Sequence, residues 1–417
     1  MVGNCYAIQR QIVYFSIVLF FPGCQSPVRE DNQLEKQRKI HHSMLTIDSH
    51  TDTPLNVIRQ GQNLSIRGNS GKGGPKIDFP RMKDGGLDGI FFAVYFGQGP
   101  RTHEGNEKAK QTTLTTFDTL RSVLSRYPTL VQQGLKSGDL KKINKSGKLA
   151  IFFGIENGYV IGNDIGMLRK YYDLGARYVT LCHSANNDIC DSSTDPGGPE
   201  HNGLSKFGKE VVKEMNRLGI MIDVSHISDK AFYDVLELSK APVIASHSGA
   251  RALCNHPRNL DDQMLQALAE KGGVIQVCTV SEYLKELPPY PARDSAQQAV
   301  RKKYGNFYQL PPDQQEVILQ EWFAIDSLFP PILATVSDFV DHIDHIVQIA
   351  GIDHVGIGTD FDGGGELEGC YDVLELENIT FELLKRGYSE QDIQKIWSGN
   401  LLRVFQDAEV VKEGLGD

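Results

Sequence analysis

Residues 219–248, GIMIDVSHISDKAFYDVLELSKAPVIASHS, hold two short apolar runs separated by a longer helical pattern, and each run ends in a histidine, His226 and His247. The same beat runs along most of the chain. From residue 44 the apolar runs are MLTIDSH, GIFFAVYF, KLAIFFGIE, ARYVTLCH, GIMIDVSH, APVIASHS, GGVIQVC and HVGIGTDFDG. All but the first are near-continuous stretches of β-formers, as parallel strands covered on both faces should be. Amphipathic segments lie between them. In SKFGKEVVKEMNRLG, Ser205 is placed to cap a helix, Phe207, Val211, Met215 and Leu218 form its apolar stripe, and Gly219 ends it. Strand and helix alternating eight times over about 370 residues predict a (β/α)8 TIM barrel, with a doubly wound open sheet as the runner-up.

The ends of the runs carry the chemistry. They read His50-Thr51-Asp52, Glu156, His183, His226, His247 and Asp360, so six of eight end in a histidine or a carboxylate. A barrel brings its strand ends to one face, where they converge on one pocket. Strand-end histidines with Asp52 and Glu156 form a nitrogen and oxygen donor set suited to zinc. Five ligands exceed what one catalytic zinc takes from protein, and two metals sharing a carboxylate would use them to hold a hydroxide. On a strand, the period-two spacing of His50 and Asp52 points both at one face, and Asp48 lies on it one layer deeper. Asp48 is expected to orient a ligand histidine by hydrogen bond. Asp360 ends its run directly and suits proton transfer, while Asp362 is expected to cap the glycine-rich turn. His342 and His345, three apart on a helix before the last run, read as structural, and His201, His256 and His354 as structural or solvated.

Residues 284–335 break the beat. Their proline pairs bracket a helix from about Asp313, and the segment reads as an insertion after the seventh strand that could form part of a lid over the barrel mouth. The glycine-rich RGNSGKGGPK lacks the spacing of a phosphate-binding loop and reads as a mobile loop.

Net charge is −10 with no long basic run, which argues against a nucleic-acid partner. After Arg10, the apolar stretch in QIVYFSIVLFFPGCQS is too short for a comfortable membrane span and suits a signal peptide. Its Gly23-Cys24 end resembles the lipobox of bacterial lipoproteins. That resemblance implies a signal peptide over 1–24, acylation of Cys24 as the membrane anchor and a periplasmic or cell-envelope location; composition then makes 25–42 a flexible polar tether, and the strand–helix beat sets the barrel over 43–410. Cys182, Cys190, Cys254, Cys278 and Cys370 are odd in number and show no C-x-x-C spacing, so no disulfide pairing is readable.

GIMIDVSHISDKAFYDVLELSKAPVIASHSGARALCNHPRN, DHVGIGTDFDGG, RGYSEQDIQKIWSGNLLRVF and IDSHTDTP together resemble the motifs of the membrane (renal-type) dipeptidase family, over about residues 44–406. The resemblance implies a barrel of the metal-dependent amidohydrolase type and a zinc enzyme that hydrolyses dipeptides through a hydroxide on two zinc ions. It places His50 and Asp52 on the first zinc, His226 and His247 on the second, and Glu156 on both. It makes His183 a substrate-contacting histidine near the scissile carbonyl and Asp360 the acid/base. It puts Arg258 on the C-terminal carboxylate of the dipeptide with Asn259 beside it, and matches Tyr283 to a substrate-side tyrosine. An arginine fork at fixed reach from the metals limits the substrate to a dipeptide, and a D-residue at its C-terminal position is expected to be tolerated. Two alternatives stay open at this point: another dinuclear amidohydrolase acting on lactones, phosphotriesters or cyclic amides, and a lipoprotein that binds peptide without turnover. A homodimer is left open as well.

Overall fold

The computed structural model describes residues 27–69, 74–305 and 312–415. The expected signal peptide and Cys24 lie outside the described residues, as does part of the glycine-rich loop. Among the described residues no helix is long and apolar enough to cross a membrane.

The strands are β1 (Ile47–Thr51), β2 (Gly89–Tyr95), β3 (Val131–Gln133), β4 (Leu149–Glu156), β5 (Ala176–Thr180), β6 (Met221–Asp223), β7 (Ile244–Ser248), β8 (Val274–Val277) and β9 (Val355–Ile357). They pair in parallel in the order β1-β2-β4-β5-β6-β7-β8-β9, with the short β3 attached to β4 alone. The eight apolar runs supply the eight strands of that path. Beyond the ladders, the ring closes between its first and last strands. The Asp360 N–H donates to the His50 carbonyl at 3.0 Å and the Asp52 N–H to that of Phe361 at 2.8 Å. The Asp48 carboxylate takes the Thr359 N–H at 2.9 Å and the Thr359 hydroxyl at 2.6 Å. An open doubly wound sheet would leave both edge strands unpaired, so the barrel reading holds.

Side-chain alternation sorts each strand into an inner and an outer face. On β4, Ala150 and Phe152 join Phe91, Tyr178, Met221, Ile244 and Val274 in an inner cluster, while Ile151, Phe153 and Ile155 pack outward under the helices. Glu156 keeps the inner parity and so stands at the top of the interior. Phe405 of the C-terminal helix (Asn400–Leu415) lies 6.4 Å from Phe91 and 6.1 Å from Phe152, sealing the end where the strands begin. The helix Lys206–Leu218 forms as its sequence dictates: Ser205 accepts the Gly208 N–H, Val211, Met215 and Leu218 are buried, and Gly219 adopts φ 71°. Each such buried side chain contributes roughly 1.5–3 kcal/mol.

Two expectations change. Residues 25–42, expected as a flexible tether, include a helix over Pro27–Ser43. Arg38 forks onto Glu377, and His41 is buried with hydrogen bonds to the Thr380 hydroxyl at 2.8 Å and the Gly85 carbonyl at 3.0 Å. Composition missed it because polar side chains make this docking. Second, β1 does not keep a strict period of two. Its register shifts between Asp48 and Thr51, which turns Asp48 toward Thr359, and Asp52 lies past the strand as the N-cap of the helix Thr53–Gln60.

The insertion holds helices Pro291–Tyr304 and Pro312–Leu328. Val300, Ile318 and Ile325 form a small core of their own there, separate from the barrel. All five cysteines of the barrel are buried free thiols.

Candidate metal centre

The register sets the stage. Tyr95, Glu156, Thr180 and Asp223 lie opposite one another across β2, β4, β5 and β6, so these strands end at one level. The loops above turn sharply. His226 (φ 71°) and Asp360 (φ 61°) are non-glycine residues in the left-handed region, a conformation costing about 1–3 kcal/mol that persists where surrounding structure enforces it. Gly363 must be a glycine for a related reason: a Cβ there would lie 2.3 Å from both Asp360 Oδ1 and Asp52 Oδ2.

Six strand-end residues and Asp52 meet in the pocket. Their donor atoms fall into three groups, each within 4.8 Å: His50, Glu156 and His247; Glu156, His183 and His226; His50, Asp52 and Asp360. Glu156 and His50 each belong to two of them. Glu156 Oε1 lies 3.1 Å from His226 Nε2, 3.5 Å from His247 Nε2 and 3.6 Å from His183 Nε2, and its Oε2 lies 3.5 Å from His50 Nε2. Asp360 Oδ1 is 3.9 Å from His50 Nε2. His183, at the partly exposed mouth, is therefore at much the same reach of Glu156 as His50 and His247.

The donor set fits metal ions. His50 Nε2, Asp52 Oδ1 and Glu156 Oε2 are buried without a hydrogen-bond partner, and the Nε2 atoms of His226 and His247 face each other at 2.9 Å. Buried donor atoms left without a partner are costly unless a cation lies among them. Burial pushes Asp52 to about 8, with the Glu156 charge adding to it, and burial pushes Glu156 to about 8. Asp360 is raised as well, chiefly by burial. Burial holds His226 and His247 well below the usual imidazole range, in the neutral form that binds metal. Divalent cations reverse the penalty on the carboxylates.

Behind the donors stand residues that sequence reasoning missed. The Tyr178 hydroxyl lies 2.9 Å from His50 Nδ1. This tyrosine, not Asp48, partners the His50 ring; Asp48 Oδ1 instead accepts the His50 main-chain N–H at 3.1 Å. Tyr178 reaches that place because Gly154 has no side chain: a Cβ there would sit 2.0 Å from the tyrosine ring. A lone glycine inside KLAIFFGIE was the available signal. Asp362 accepts the Thr53 hydroxyl and the Lys76 N–H, both at 2.7 Å, and so ties two loops together instead of capping its own turn.

Arg258 is buried beside this cluster. Its Nη2 donates to the His247 carbonyl at 3.0 Å, while Nε and Nη1 have no partner. The guanidinium lies 5.4 Å from the Tyr283 ring, which also stacks on His256 at 4.5 Å. Asn259 follows Arg258 in the chain. Its amide donates to the Cys254 carbonyl at 3.0 Å and the Tyr283 carbonyl at 2.7 Å, so it shapes the loop that carries Arg258. His342 bridges the Ala250 N–H and the Leu284 carbonyl, and His345 pairs with Asp262, both structural as expected.

Comparison with known proteins agrees with this geometry. The family model described as membrane dipeptidase, peptidase family M19, matches residues 34–416. A dipeptidase of Claviceps purpurea, tcpJ, is 32% identical over 340 residues, covering 80% of this chain and 70% of its own. The crystal structure of the probable dipeptidase PvdM from Pseudomonas aeruginosa superposes with a TM-score of 0.77 at 31% identity, over 91% of this chain and 99% of that one. A metallopeptidase from Rhodobacter sphaeroides, liganded with a phosphinate mimic of L-Ala-D-Ala, gives 0.69 at 25% identity, over 88% and 99%. The chain belongs to the membrane dipeptidase family and is one of its metallopeptidases.

Proposed function

We propose that the protein cleaves free dipeptides, including those with a D-residue at the C-terminal position, at a centre that holds two zinc ions. The observation that carries this reading is Arg258. A buried guanidinium with two unspent nitrogens, Nε and Nη1, beside a metal donor cluster calls for an anion, and a planar carboxylate matches its fork. A lactone or phosphotriester offers that fork a neutral acceptor but no charge to pair with. The Rhodobacter relative supports the D-residue, since its ligand mimics L-Ala-D-Ala.

His50, Asp52, Glu156, His226 and His247 would hold the zinc ions, with Glu156 shared. Zinc supplies Lewis acidity that activates water and polarises the carbonyl. Arg258 fixes the substrate by its carboxylate, which places the single peptide bond of a dipeptide over the donor cluster. His183, half-buried at the mouth and 3.6 Å from Glu156 through Nε2, faces the scissile carbonyl oxygen. Asp360 takes the proton of the attacking water and returns it to the leaving amine. Tyr283 packs along the guanidinium and walls the carboxylate end.

Hydrolysis of L-Ala-D-Ala and L-Ala-L-Ala by purified protein, with tripeptides as controls, tests the reading. Chelator-sensitive cleavage of dipeptides alone is expected. Equal cleavage of tripeptides, or none of any dipeptide, contradicts it. For location, we propose a cell-envelope protein anchored through acylated Cys24; failure of Cys24 to incorporate labelled fatty acid in a bacterial host removes that part.

A further inference from the structure

Asp223 is a strand-end carboxylate that none of the donor groups includes. It closes β6 and is fully buried. Its Oδ1 accepts the Ser225 N–H at 3.0 Å and the Ser246 N–H at 2.9 Å. Its Oδ2 accepts the hydroxyls of Thr180 and, at 2.6 Å, Ser246. Four donors hold the carboxylate in place, and an ionised carboxylate only accepts. The Ser246 O–H must therefore point at Asp223, which leaves the Ser246 oxygen as an acceptor. The next polar atom along is His247 Nδ1, at 2.8 Å. It can meet that oxygen only as an N–H donor. An imidazole with its proton on Nδ1 has its lone pair on Nε2, the atom that faces Glu156 and His226.

We propose that Asp223 is a positioning residue that acts through the Ser246 hydroxyl to fix the tautomer and orientation of His247, preparing Nε2 as a metal donor before any metal arrives. A carboxylate behind a ligand histidine raises its basicity and locks its ring. Here the hydroxyl is interposed, so the carboxylate sits one residue deeper and stays out of the pocket. His226 is built differently: its Nδ1 is buried without a partner, and its ring is set by the left-handed backbone at φ 71°. The two histidines expected on the second metal are thus prepared by different means. His50 has a third arrangement, with a neutral phenol behind it.

The inference rests on the metal-centre reading, so its test has a part that needs no metal. In the metal-free protein, nitrogen-15 NMR of the histidine side chains, with His247→Asn to assign the signal, reads which nitrogen carries the proton. Wild type is expected to show His247 protonated at Nδ1, and Ser246→Ala to show loss of that preference. A His247 protonated at Nε2 in wild type, or unchanged in Ser246→Ala, overturns the relay whatever the metals do. In zinc titrations, Ser246→Ala and Asp223→Asn are expected to weaken the binding that His247→Asn abolishes by about 10–100-fold. Titration curves that superpose on wild type also overturn it. Ser246→Ala keeps every main-chain contact to Asp223, so it separates the relay from a folding defect in Asp223→Asn. A wild type that takes up fewer than two equivalents contradicts the two-metal reading and leaves the tautomer result to decide the relay.

Discussion

Gly154→Ala is the smallest change that reaches the metal centre without touching it. A Cβ at residue 154 would stand 2.0 Å from Tyr178 Cζ and 2.3–2.4 Å from the adjoining ring carbons. Ordinary carbon contacts need about 3.5–4.0 Å, so the ring must retreat by roughly 1.5 Å. It has little room, with the Phe91 ring centroid 5.3 Å away and the whole side chain buried. The 2.9 Å contact to His50 Nδ1 then exceeds hydrogen-bond range. Overpacking costs about 1–3 kcal/mol and the lost hydrogen bond about 0.5–1.5 kcal/mol. A destabilisation of about 2–4 kcal/mol is expected by denaturant unfolding of the metal-free protein. Zinc affinity at the His50 position should fall by about 10–100-fold. Tyr178→Phe separates the two effects: it keeps the ring, so it should retain most of the stability yet share the loss of affinity. Wild-type stability and wild-type zinc affinity in Gly154→Ala would refute the reasoning.

Four further outcomes follow from the same geometry. Arg258→Met should lower kcat/KM on dipeptides by the about 2–5 kcal/mol typical of a truncated buried charge pair, with metal content unchanged; parallel loss of metal would make Arg258 structural. Asp360→Asn should keep both metals and lose about 10²–10⁴ in kcat, and a matching drop in zinc content would make Asp360 a ligand instead. His226→Ala should bring zinc to near one equivalent per chain, which metal analysis checks directly. Asp52 and Glu156 titrate near 8 in the metal-free fold, above their unfolded values of 3.8 and 4.5. At these two carboxylates the folded state then binds more protons than the unfolded one. Below about 6.5 this is opposed by His226 and His247, neutral in the fold and protonated in the unfolded chain, so the metal-free protein should lose stability chiefly as pH rises from about 6.5 to about 8. Thermal melts after chelation that stay level across that range would contradict this.

Much of the barrel was legible because its strands are buried on both faces and stand out as apolar runs. The donor residues were legible for the complementary reason: a histidine or carboxylate closing such a run has no packing role. What escaped detection were groups that look like core. Tyr178 sits inside ARYVTLCH as one more β-former, and Asp223 is the single acid in GIMIDVSH. Their importance comes from which ring nitrogen they face, a relation between strands that one strand cannot show. Asp48 escapes strict alternation because the β1 register shifts beside it, a break that the sequence of one strand does not display. The helix Pro27–Ser43 was missed because its docking rests on Arg38 and His41, polar residues that composition assigns to solvent.

The central claim is that a metal donor cluster and the Arg258 fork together select a free dipeptide. The most direct measurement compares kcat/KM for L-Ala-D-Ala with that for its C-terminal amide, on protein reconstituted with two equivalents of zinc. Loss of the carboxylate charge should cost about 2–5 kcal/mol, leaving the amide roughly 30-fold to several-thousand-fold poorer. Equal rates on the two would mean that Arg258 does not read the carboxylate, and the account would fail at its centre.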